Sequence, residues 1–469
     1  MGSGTAEVAR ADASSTSTGG VNEWPDQRYG WFVVGVLTLA YTCSFIDRQI
    51  LTLLIEPIRR DLQISDTQVS LLGGLAFSIL YTTLGIPIAR LADQAHRRNL
   101  MAAGLAFWSL MTAACGVARG FWGLFAARVG VGVGEAALSP AAFSLMADYF
   151  PPRKVALAIS VYSTGLYFGA GLALMIGGTV VQLVSNAPTH DLPIVGTVFP
   201  WQLTFFVVAA IGLPVLLLML LIREPLRRGV TTAGTAPGAA SAWPALRAFM
   251  RANRRTLACH ISAFTLFGIG INCYLFWAPT LMMRTHGWTA PQAGFTIGAM
   301  LFGLGTAGVY GGGWLADRLA GRGHRDAVLR AAFYGMLAGS PFLIATPLLD
   351  DARLATIGLG ISVFFMAFPQ GLPSAALQVV TPNRLRAQMT AIYFFIGNLI
   401  ASGLGPTLPA LLGDYVFRDP SMLRYGLFVV QAIVMPASLL CLWLGFSAYR
   451  RSVEQAEARE QPPPHVAAL

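Results

Sequence analysis

Charged residues are scarce in this sequence. Asp, Glu, Lys and Arg make up 12% of its 469 residues, whereas a soluble protein carries about 25%. Hydrophobic residues make up 55%, and apolar runs of about 20 residues, the length that crosses a bilayer, recur along nearly the whole chain. Because these runs leave no stretch long enough for a soluble catalytic domain, the sequence predicts an integral membrane protein and excludes a soluble enzyme.

Patterns of a disulfide framework, a metal site or a nucleophilic centre are also missing. The five cysteines all lie in apolar runs without a C-x-x-C pair, as buried Cys does when it acts as a small hydrophobe. The six histidines show no H-E-x-x-H spacing, which a zinc protease would need. No nucleophile stands beside a base at membrane depth. We therefore expect no metal, no cofactor and no enzymatic activity.

Two further absences concern partners and targeting. The net charge is +10, but the basic residues lie in short loops, and no basic patch with interleaved aromatics indicates a nucleic-acid partner. The first 27 residues are rich in Gly, Ala, Ser and Thr and have no basic segment ahead of an apolar core. This composition predicts a disordered tail and not a signal peptide.

Apolar runs bounded by charges, Pro or Gly predict twelve membrane-spanning helices. Their approximate limits are 30–55, 67–91, 99–118, 120–147, 156–184, 200–222, 256–283, 291–316, 327–348, 354–379, 387–412 and 424–449. The longest loop contains the low-complexity stretch GVTTAGTAPGAASAWPA, which predicts a flexible linker between two halves. The predicted organisation is a tail at 1–27, a six-helix half at 28–223, a cytoplasmic linker at 224–253, a second half at 254–451 and a cytoplasmic tail at 452–469.

Loop charges predict the orientation. With a cytoplasmic N-terminus, the cytoplasmic segments hold roughly three times as many Lys and Arg as the other side, the bias that cytoplasmic loops show. Both termini are therefore expected in the cytoplasm.

The two predicted halves repeat one another in sequence. Arg90-Leu-Ala-Asp93 aligns with Trp314-Leu-Ala-Asp317, and at the same offset Gln68 matches Gln292 and Gly74 matches Gly298. Parallel halves of six spans, with a site at their interface near the midplane, are the layout of the major facilitator fold. The predicted fold class is an all-α integral membrane protein with twelve helices in two pseudo-symmetric halves.

The loop after the second span resembles a motif of the major facilitator superfamily, G-x-L-A-D-R-x-G-R-R. The first copy, Ala89-Arg-Leu-Ala-Asp93-Gln-Ala-His-Arg97-Arg98, is degenerate, whereas Gly313-Trp-Leu-Ala-Asp317-Arg318 is intact in its core. Asp148, which ends the fourth span, is the predicted partner of Arg97. Such charges can pair with the opposite half and hold the cytoplasmic side shut. The alternative is that they only fix the topology.

Four charged residues lie well inside predicted spans, all of them in the N-terminal half. They are Asp47 and Arg48 in the first span and Arg128 and Glu135 in the fourth. Charges at this depth cost several kcal/mol and mark ion or substrate pathways. Arg128 and Glu135 are seven residues apart, so they share a helix face. Matching depths predict an Asp47–Arg128 pair, with Glu135 nearer the midplane.

This charge cluster allows two hypotheses. A carboxyl group in a low dielectric binds a proton more readily, and a nearby Arg opposes this. A movement that changes the carboxyl–Arg distance would therefore couple transport to protons. Alternatively, the charges form a static network that holds the helices together.

The charged segments also carry a more specific resemblance. Span four, Arg128-V-G-V-G-V-G-Glu135, resembles both Spinster-like lipid transporters and organic-anion symporters of the sialin and sugar-acid type. Span one, Tyr41-T-C-S-Phe45-I-Asp47-Arg48, resembles the Spinster family, as does Trp108-Ser109. The resemblance implies a bacterial, monomeric transporter in the inner membrane that moves lysolipids or sphingoid phosphates, with protons as the coupling ion. It also implies that Asp47, Arg48, Arg128 and Glu135 are the functional charges.

The C-terminal half offers neutral candidates for the cavity wall. The apolar candidates are Phe276, Trp277, Phe364, Phe365, Phe394 and Phe395, and the hydrogen-bonding candidates are Asn272, Tyr274, Gln378 and Asn398. A charged wall opposite an uncharged wall suits an amphiphile with a polar head and an acyl tail. The alternative, a proton-coupled symporter of small organic anions, predicts a basic residue in the C-terminal half of the cavity, and the sequence shows none there.

Overall fold

The computed structural model describes residues 25–184, 189–193, 196–227, 239–382 and 385–460. The N-terminal half contains α1 (Gln27–Leu53), α2 (Ile55–Leu62), α3 (Asp66–Gly73), α4 (Leu75–Gln94), α5 (Arg97–Cys115), α6 (Phe121–Glu135), α7 (Leu138–Tyr149), α8 (Pro152–Val184) and α9 (Pro200–Leu220). A short hairpin, β1 (His190–Leu192) and β2 (Gly196–Val198), connects α8 to α9.

The C-terminal half has the same plan. It contains α10 (Ala239–Ala252), α11 (Arg254–His286), α12 (Ala290–Met300), α13 (Thr306–Gly321), α14 (Ala327–Ala345), α15 (Ala352–Ala367), α16 (Leu372–Val380), α17 (Arg386–Leu411) and α18 (Leu423–Glu460). Short π-helical segments, Leu301–Gly305 and Leu412–Phe417, follow α12 and α17.

Eleven helical segments within the described ranges are long and apolar enough to cross a membrane. Four of them join two helices of the list above, for example α6 with α7. The shorter α5 packs against α6, α7 and α9 and completes the predicted set of twelve. The predicted fold class, an all-α membrane protein of two halves, is confirmed.

The predicted repeat is visible in the way the second span of each half begins. Ser65 and Gln68 form a capping box at the start of α3, and Thr289 and Gln292 form the same box at the start of α12. In a capping box the two side chains satisfy backbone N–H groups that the helix leaves without partners. The two glutamines that align in sequence therefore have the same structural role.

The aligned glycines make equivalent contacts between the halves. A Cβ atom on Gly74 would lie 2.5 Å from the Ser402 carbonyl in α17, and one on Gly298 would lie 2.5 Å from the Gly171 carbonyl in α8. Any side chain at these positions would therefore separate the halves. The two contacts are related by the pseudo-symmetry of the repeat, so one alignment explains both.

We call the end of the bundle where α1 begins and α18 finishes the terminal end, and the other the distal end. The polar contacts that join the two halves in the described chain lie at the distal end. There Arg284 of α11 binds Glu56 and Asp66, and the Thr67 amide donates to the Asp414 carboxylate. The structure is therefore closed at its distal end.

Two segments predicted to lie outside the helical halves contain helix. Residues 239–252, expected in the flexible linker, form α10, because Leu246 and Phe249 bury themselves against a cluster that includes Leu377 and Met389. Helix α18 continues to residue 460 into the predicted C-terminal tail. The predicted tail at 1–27 is described only from residue 25, and residues 228–238 of the linker lie outside the described ranges.

Candidate functional site

Adjacent residues of α1 present opposite charges to different helices. Asp47 is buried, and the Thr112 hydroxyl of α5 donates to its Oδ1 atom over 2.6 Å. Arg48, the next residue, reaches α6 instead. Successive residues of a helix point about 100° apart, so one turn of α1 connects two neighbours through two unlike charges.

Arg48 and Glu135 form the central ion pair of the site. The Arg48 Nε and Nη2 atoms donate to the same carboxylate oxygen, Oε2, over 2.8 Å and 2.6 Å, and the Ser44 hydroxyl donates to it as well. The other oxygen, Oε1, is buried and has no hydrogen-bond partner among the described residues. The Glu135 side chain is 0% exposed, whereas that of Arg48 is 22% exposed. The pair therefore has one buried end and one accessible end.

Three aromatic rings surround the guanidinium of Arg48. Its Cζ atom lies 4.9 Å from the ring centre of Phe45, 4.3 Å from that of Phe77 and 4.8 Å from that of Tyr81. Ring faces attract cations, most strongly where water is excluded. Phe77 and Tyr81 belong to α4, so this cradle holds Arg48 between α1 and α4. No signal in the sequence indicated that these rings contact Arg48.

Arg128 does not pair with the Asp47 carboxylate, so the predicted Asp47–Arg128 ion pair is wrong. Its Nη1 atom donates to the Asp47 main-chain carbonyl over 3.0 Å, and its Nε atom lies 3.5 Å from the Leu72 carbonyl. The depths match as predicted, but the Asp47 side chain turns to Thr112. Backbone carbonyls commonly satisfy a buried Arg in a membrane protein. Arg128 thereby connects α6 to α1 and to the end of α3.

Glycines of α6 bring these helices close enough for the contacts above. A Cβ atom on Gly132 would lie 2.5 Å from the Phe77 carbonyl of α4, and one on Gly134 would lie 2.8 Å from the Gly104 carbonyl of α5. Small residues permit such close approach between membrane helices. The spacing of glycines between Arg128 and Glu135 thus positions both charges against their neighbours.

Arg97 of the predicted gating motif forms ion pairs within the N-terminal half. The predicted Arg97–Asp148 pair is present, and Arg97 Nε also donates to Glu224 over 2.7 Å. Burial alone would raise the pKa of Glu224. Hydrogen bonds from the Arg98 amide and the Arg97 side chain outweigh this effect and lower the pKa below its ordinary value. Glu224 is a partner that the sequence analysis missed.

The rest of the predicted gating motif makes no such contact. Asp317 and Arg318 are exposed at the end of α13, where Arg318 lies over the ring of Trp314. Asp93 lies in the last turn of α4, and its side chain is outside the described part of the structure. The contacts described above for the predicted gating residues thus lie within one half each.

Charges at the distal end do join the two halves. Arg284 donates to both oxygens of Asp66 over 2.7 Å and 2.8 Å and to Glu56 over 2.5 Å. The Asp66 side chain is 2% exposed. Two-pronged Arg–carboxylate bonds are strong and geometrically specific. Arg284 ends α11 with basic charge, but no sequence signal indicated its partners.

Two of the predicted cavity residues are buried inside the C-terminal half. Trp277 has 0% exposure and donates from Nε1 to the Pro406 carbonyl over 2.7 Å, and Tyr274 has 1% exposure. They are packing residues here, so the prediction that they line a cavity is wrong for this conformation. Asn272 is partly exposed and Gln378 and Asn398 are exposed.

The aromatic residues predicted to line the cavity also lie in different environments. Phe276 is buried and packs against Gly73 of α3, so it belongs to the contact between the halves. Phe364 and Phe365 pack with Phe368. Phe394 is 48% exposed, and Phe395 is partly buried.

Two helical halves that enclose buried charges define a membrane transporter. The family model of the Major Facilitator Superfamily matches residues 37–406. The chain therefore belongs to the Major Facilitator Superfamily. Its relatives are transporters and not enzymes.

Three relatives show which transporters of this superfamily the chain is similar to. The chain is 27% identical to an MFS-type efflux pump of Mycolicibacterium smegmatis, over 92% of this chain and 96% of that protein. It is 28% identical to human protein spinster homolog 1, over 83% of this chain and 75% of that protein. It is 24% identical to the hexuronate transporter of Bacillus subtilis, over 86% and 93% of the two chains.

A solved structure also shows similarity to Spinster. The crystal structure of a bacterial homolog to the human lysosomal transporter Spinster, in an inward-facing and unoccupied conformation, superposes with a TM-score of 0.73. The identity is 25%, over 94% of this chain and 100% of that chain. The chain is thus a Major Facilitator Superfamily transporter that resembles Spinster.

Proposed function

We propose that this protein is a proton-coupled secondary transporter that moves an amphiphilic anion, such as a lysolipid or a sphingoid phosphate, by alternating access. The observation that carries the proposal is the Arg48–Glu135 pair, with a fully buried carboxylate and a partly exposed guanidinium. Buried ionisable groups in a membrane protein mark ion and substrate pathways. The amphiphilic substrate is what the resemblance of span one to the Spinster family implies, and proteins of that name are among the relatives of this chain.

The geometry supports a specific exchange. While Glu135 is ionised, its Oε2 atom holds Arg48 and Ser44. A proton on Oε1, which has no hydrogen-bond partner among the described residues, would neutralise Glu135 and weaken its attraction for Arg48. The Arg48 guanidinium would remain between the aromatic rings but lose its ion pair with Glu135, so it could bind the anionic head of a substrate. Loss of the proton would return Arg48 to Glu135 and release the substrate. Proton binding and substrate binding are thereby linked through one side chain.

We infer that the terminal end faces the cytoplasm of a bacterial inner membrane and that the protein acts as a monomer. The arginine-rich loops at that end support this orientation. With the distal end closed by Arg284 and the charges at the terminal end paired within one half, the contacts resemble an inward-facing state. In the outward-facing state Arg97, Asp148, Asp317, Arg318 and Asp93 would close the terminal end.

An acyl tail would need an apolar surface opposite Arg48. The sequence of the C-terminal half has no charged residue well inside a predicted span, and its helix α17 exposes Phe394. Asn272, Gln378 and Asn398 would add hydrogen bonds. A symporter of small organic anions is the second candidate, because the hexuronate transporter is similar over most of its length.

The test is uptake into proteoliposomes with and without an imposed pH gradient. We expect a lysophospholipid to be transported faster with the gradient, and Glu135→Gln to remove that stimulation because the side chain no longer exchanges a proton. Asp350→Asn, a change at an exposed carboxylate that pairs with Arg424, is the matched control. Gradient-stimulated uptake that survives in Glu135→Gln contradicts the coupling. Uptake of a hexuronate in place of the lysolipid favours the second candidate.

A further inference from the structure

A recess lies on the surface of the C-terminal half at the terminal end, away from the Arg48–Glu135 pair. It has a volume of about 530 Å³, within the range of roughly 300–1,000 Å³ typical of small-molecule sites. The first turns of α11 and α14 and the last membrane turns of α18 form its walls. The lining residues are Arg255, Asp326, Arg330, Phe333, Tyr334, Trp443, Leu444, Phe446, Ser447 and Arg450.

The polar side of the recess carries an excess of positive charge. Arg330 Nε lies 2.6 Å from one oxygen of the buried Asp326, and Arg450 Nε lies 3.5 Å from the other. Arg255 has no ion pair among the described residues and is exposed. Three guanidinium groups thus face one carboxylate, and two positive charges remain for a ligand. Asp326 fixes two of the arginines, so the site is arranged in advance.

The apolar side continues from the arginines along the helices. Trp443 and Tyr334 are 62% and 44% exposed on spans that cross the membrane, and Phe333 packs edge-to-face on Phe446 at 5.5 Å. Trp443 precedes Arg450 by seven residues of α18, a rise of about 10 Å. The recess therefore combines a cationic rim at the membrane surface with an aromatic wall toward the bilayer core.

The backbone around the rim is held firmly. Thr256 and Ser452 share a hydrogen bond of 2.8 Å, and the Ser452 hydroxyl donates to Asn253 over 2.9 Å. These bonds tie the start of α11, beside Arg255, to α18. A second recess of about 220 Å³ adjoins on the other side of Arg255 and is lined in addition by Arg451.

We propose that this recess binds the head group of one anionic phospholipid from the leaflet at the terminal end. Two uncompensated guanidinium groups suit a phosphodiester, and the aromatic wall suits the upper part of the acyl chains. Basic pockets between membrane helices on the cytoplasmic side bind such head groups. Because the site lies outside the bundle interior, the inference does not depend on the transported substrate.

The test is native mass spectrometry of the full-length protein in a non-ionic detergent. Phosphatidylglycerol, phosphatidylcholine and inorganic phosphate are the three probes, and Arg255→Gln is the main variant because it breaks no ion pair. We expect one phosphatidylglycerol to be retained, with about fivefold weaker binding in Arg255→Gln. Arg322→Gln is the control, an exposed Arg of the same half that does not line the recess.

Each other result overturns the proposal. Equal retention of phosphatidylcholine would exclude recognition of negative charge. Equal weakening in Arg322→Gln would show a diffuse electrostatic effect. Trp443→Ala should also weaken lipid binding, because it removes part of the aromatic wall. If the protein instead bound inorganic phosphate but no lipid, and Trp443→Ala left that binding unchanged, the recess would be a site for free phosphate. A thermal melt of each variant tests whether the protein is folded.

Discussion

The two halves share a fold but differ in what they bury. The N-terminal half encloses Asp47, Arg128 and Glu135, all at most 3% exposed. The interior of the C-terminal half uses neutral groups, such as Gln431, which is 0% exposed and donates to the Gly270 carbonyl over 2.9 Å. Repeated helices therefore do not imply repeated chemistry. Inside the bundle, the N-terminal half carries the charges that can bind a proton or an anion and the C-terminal half is neutral. The charged recess around Asp326 lies outside the bundle interior.

Removing a buried charge from the N-terminal half should cost the most stability. In Arg128→Ala the carbonyls of Asp47 and Leu72 lose their donor, and the carboxylates keep an uncompensated negative charge. We expect a loss of about 3 kcal/mol in stability, the scale for breaking buried charge networks. Thermal unfolding in detergent measures it, with Arg128→Lys as a milder control that keeps the charge.

A neutral substitution in the C-terminal half should cost less stability than Arg128→Ala. Gln431→Leu removes one hydrogen bond to a carbonyl and leaves no charge unpaired, so we expect only about 1 kcal/mol. A loss in Gln431→Leu equal to that in Arg128→Ala would show that buried charge has no special role in the N-terminal half.

Arg284 is the point where the C-terminal half does supply a charge to its partner. In Arg284→Ala the distal end loses its bonds to Glu56 and Asp66. We expect the population to shift toward states with an open distal end by about 1–3 kcal/mol, the usual scale of such couplings. Distances between spin labels at positions 62 and 417 measure the shift.

Arg59→Ala provides the matched control for this prediction. Arg59 lies 3.2 Å from the same Asp66 oxygen that Arg284 approaches, but it belongs to the N-terminal half. Its loss should therefore leave the distances between the halves unchanged. Equal opening in Arg59→Ala and Arg284→Ala would mean that the ion pair between the halves does not hold the distal end closed.

The sequence predicted the fold well because hydropathy, capping residues and aligned glycines are local signals. Gln68 and Gln292 occupy the same cap, and Gly74 and Gly298 the same contact, as the repeat required. The depth of Asp47 and Arg128 was also predictable from helix rise. Which way the Asp47 side chain turns was not, because Thr112 lies far away in sequence.

Aromatic residues were the least predictable. A hydrophobic ring gives the same sequence pattern whether it packs in a helix bundle or faces a cavity. Trp277, predicted to line the cavity, is buried and donates a hydrogen bond to the Pro406 carbonyl. Phe77 and Tyr81, which were not predicted as site residues, contact the Arg48 guanidinium. Only the relative rotation of the helices, a tertiary property, separates these cases.

Charge pairing outside the bundle interior should make stability depend modestly on pH. Because the pKa of Glu224 is lowered below 4.5 by Arg97 and Arg98, its ionised form stabilises the fold. A carboxyl with a lowered pKa contributes stability above its unfolded pKa, and this is lost as the pH falls through the folded pKa. Glu224→Gln should therefore cost about 1 kcal/mol at neutral pH, the scale of a partly buried ion pair, and almost nothing once Glu224 is protonated. Melting temperatures of both proteins between neutral pH and about pH 3 measure the difference. A difference that stays constant over this range would show that Glu224 stabilises the fold through packing and not through its charge.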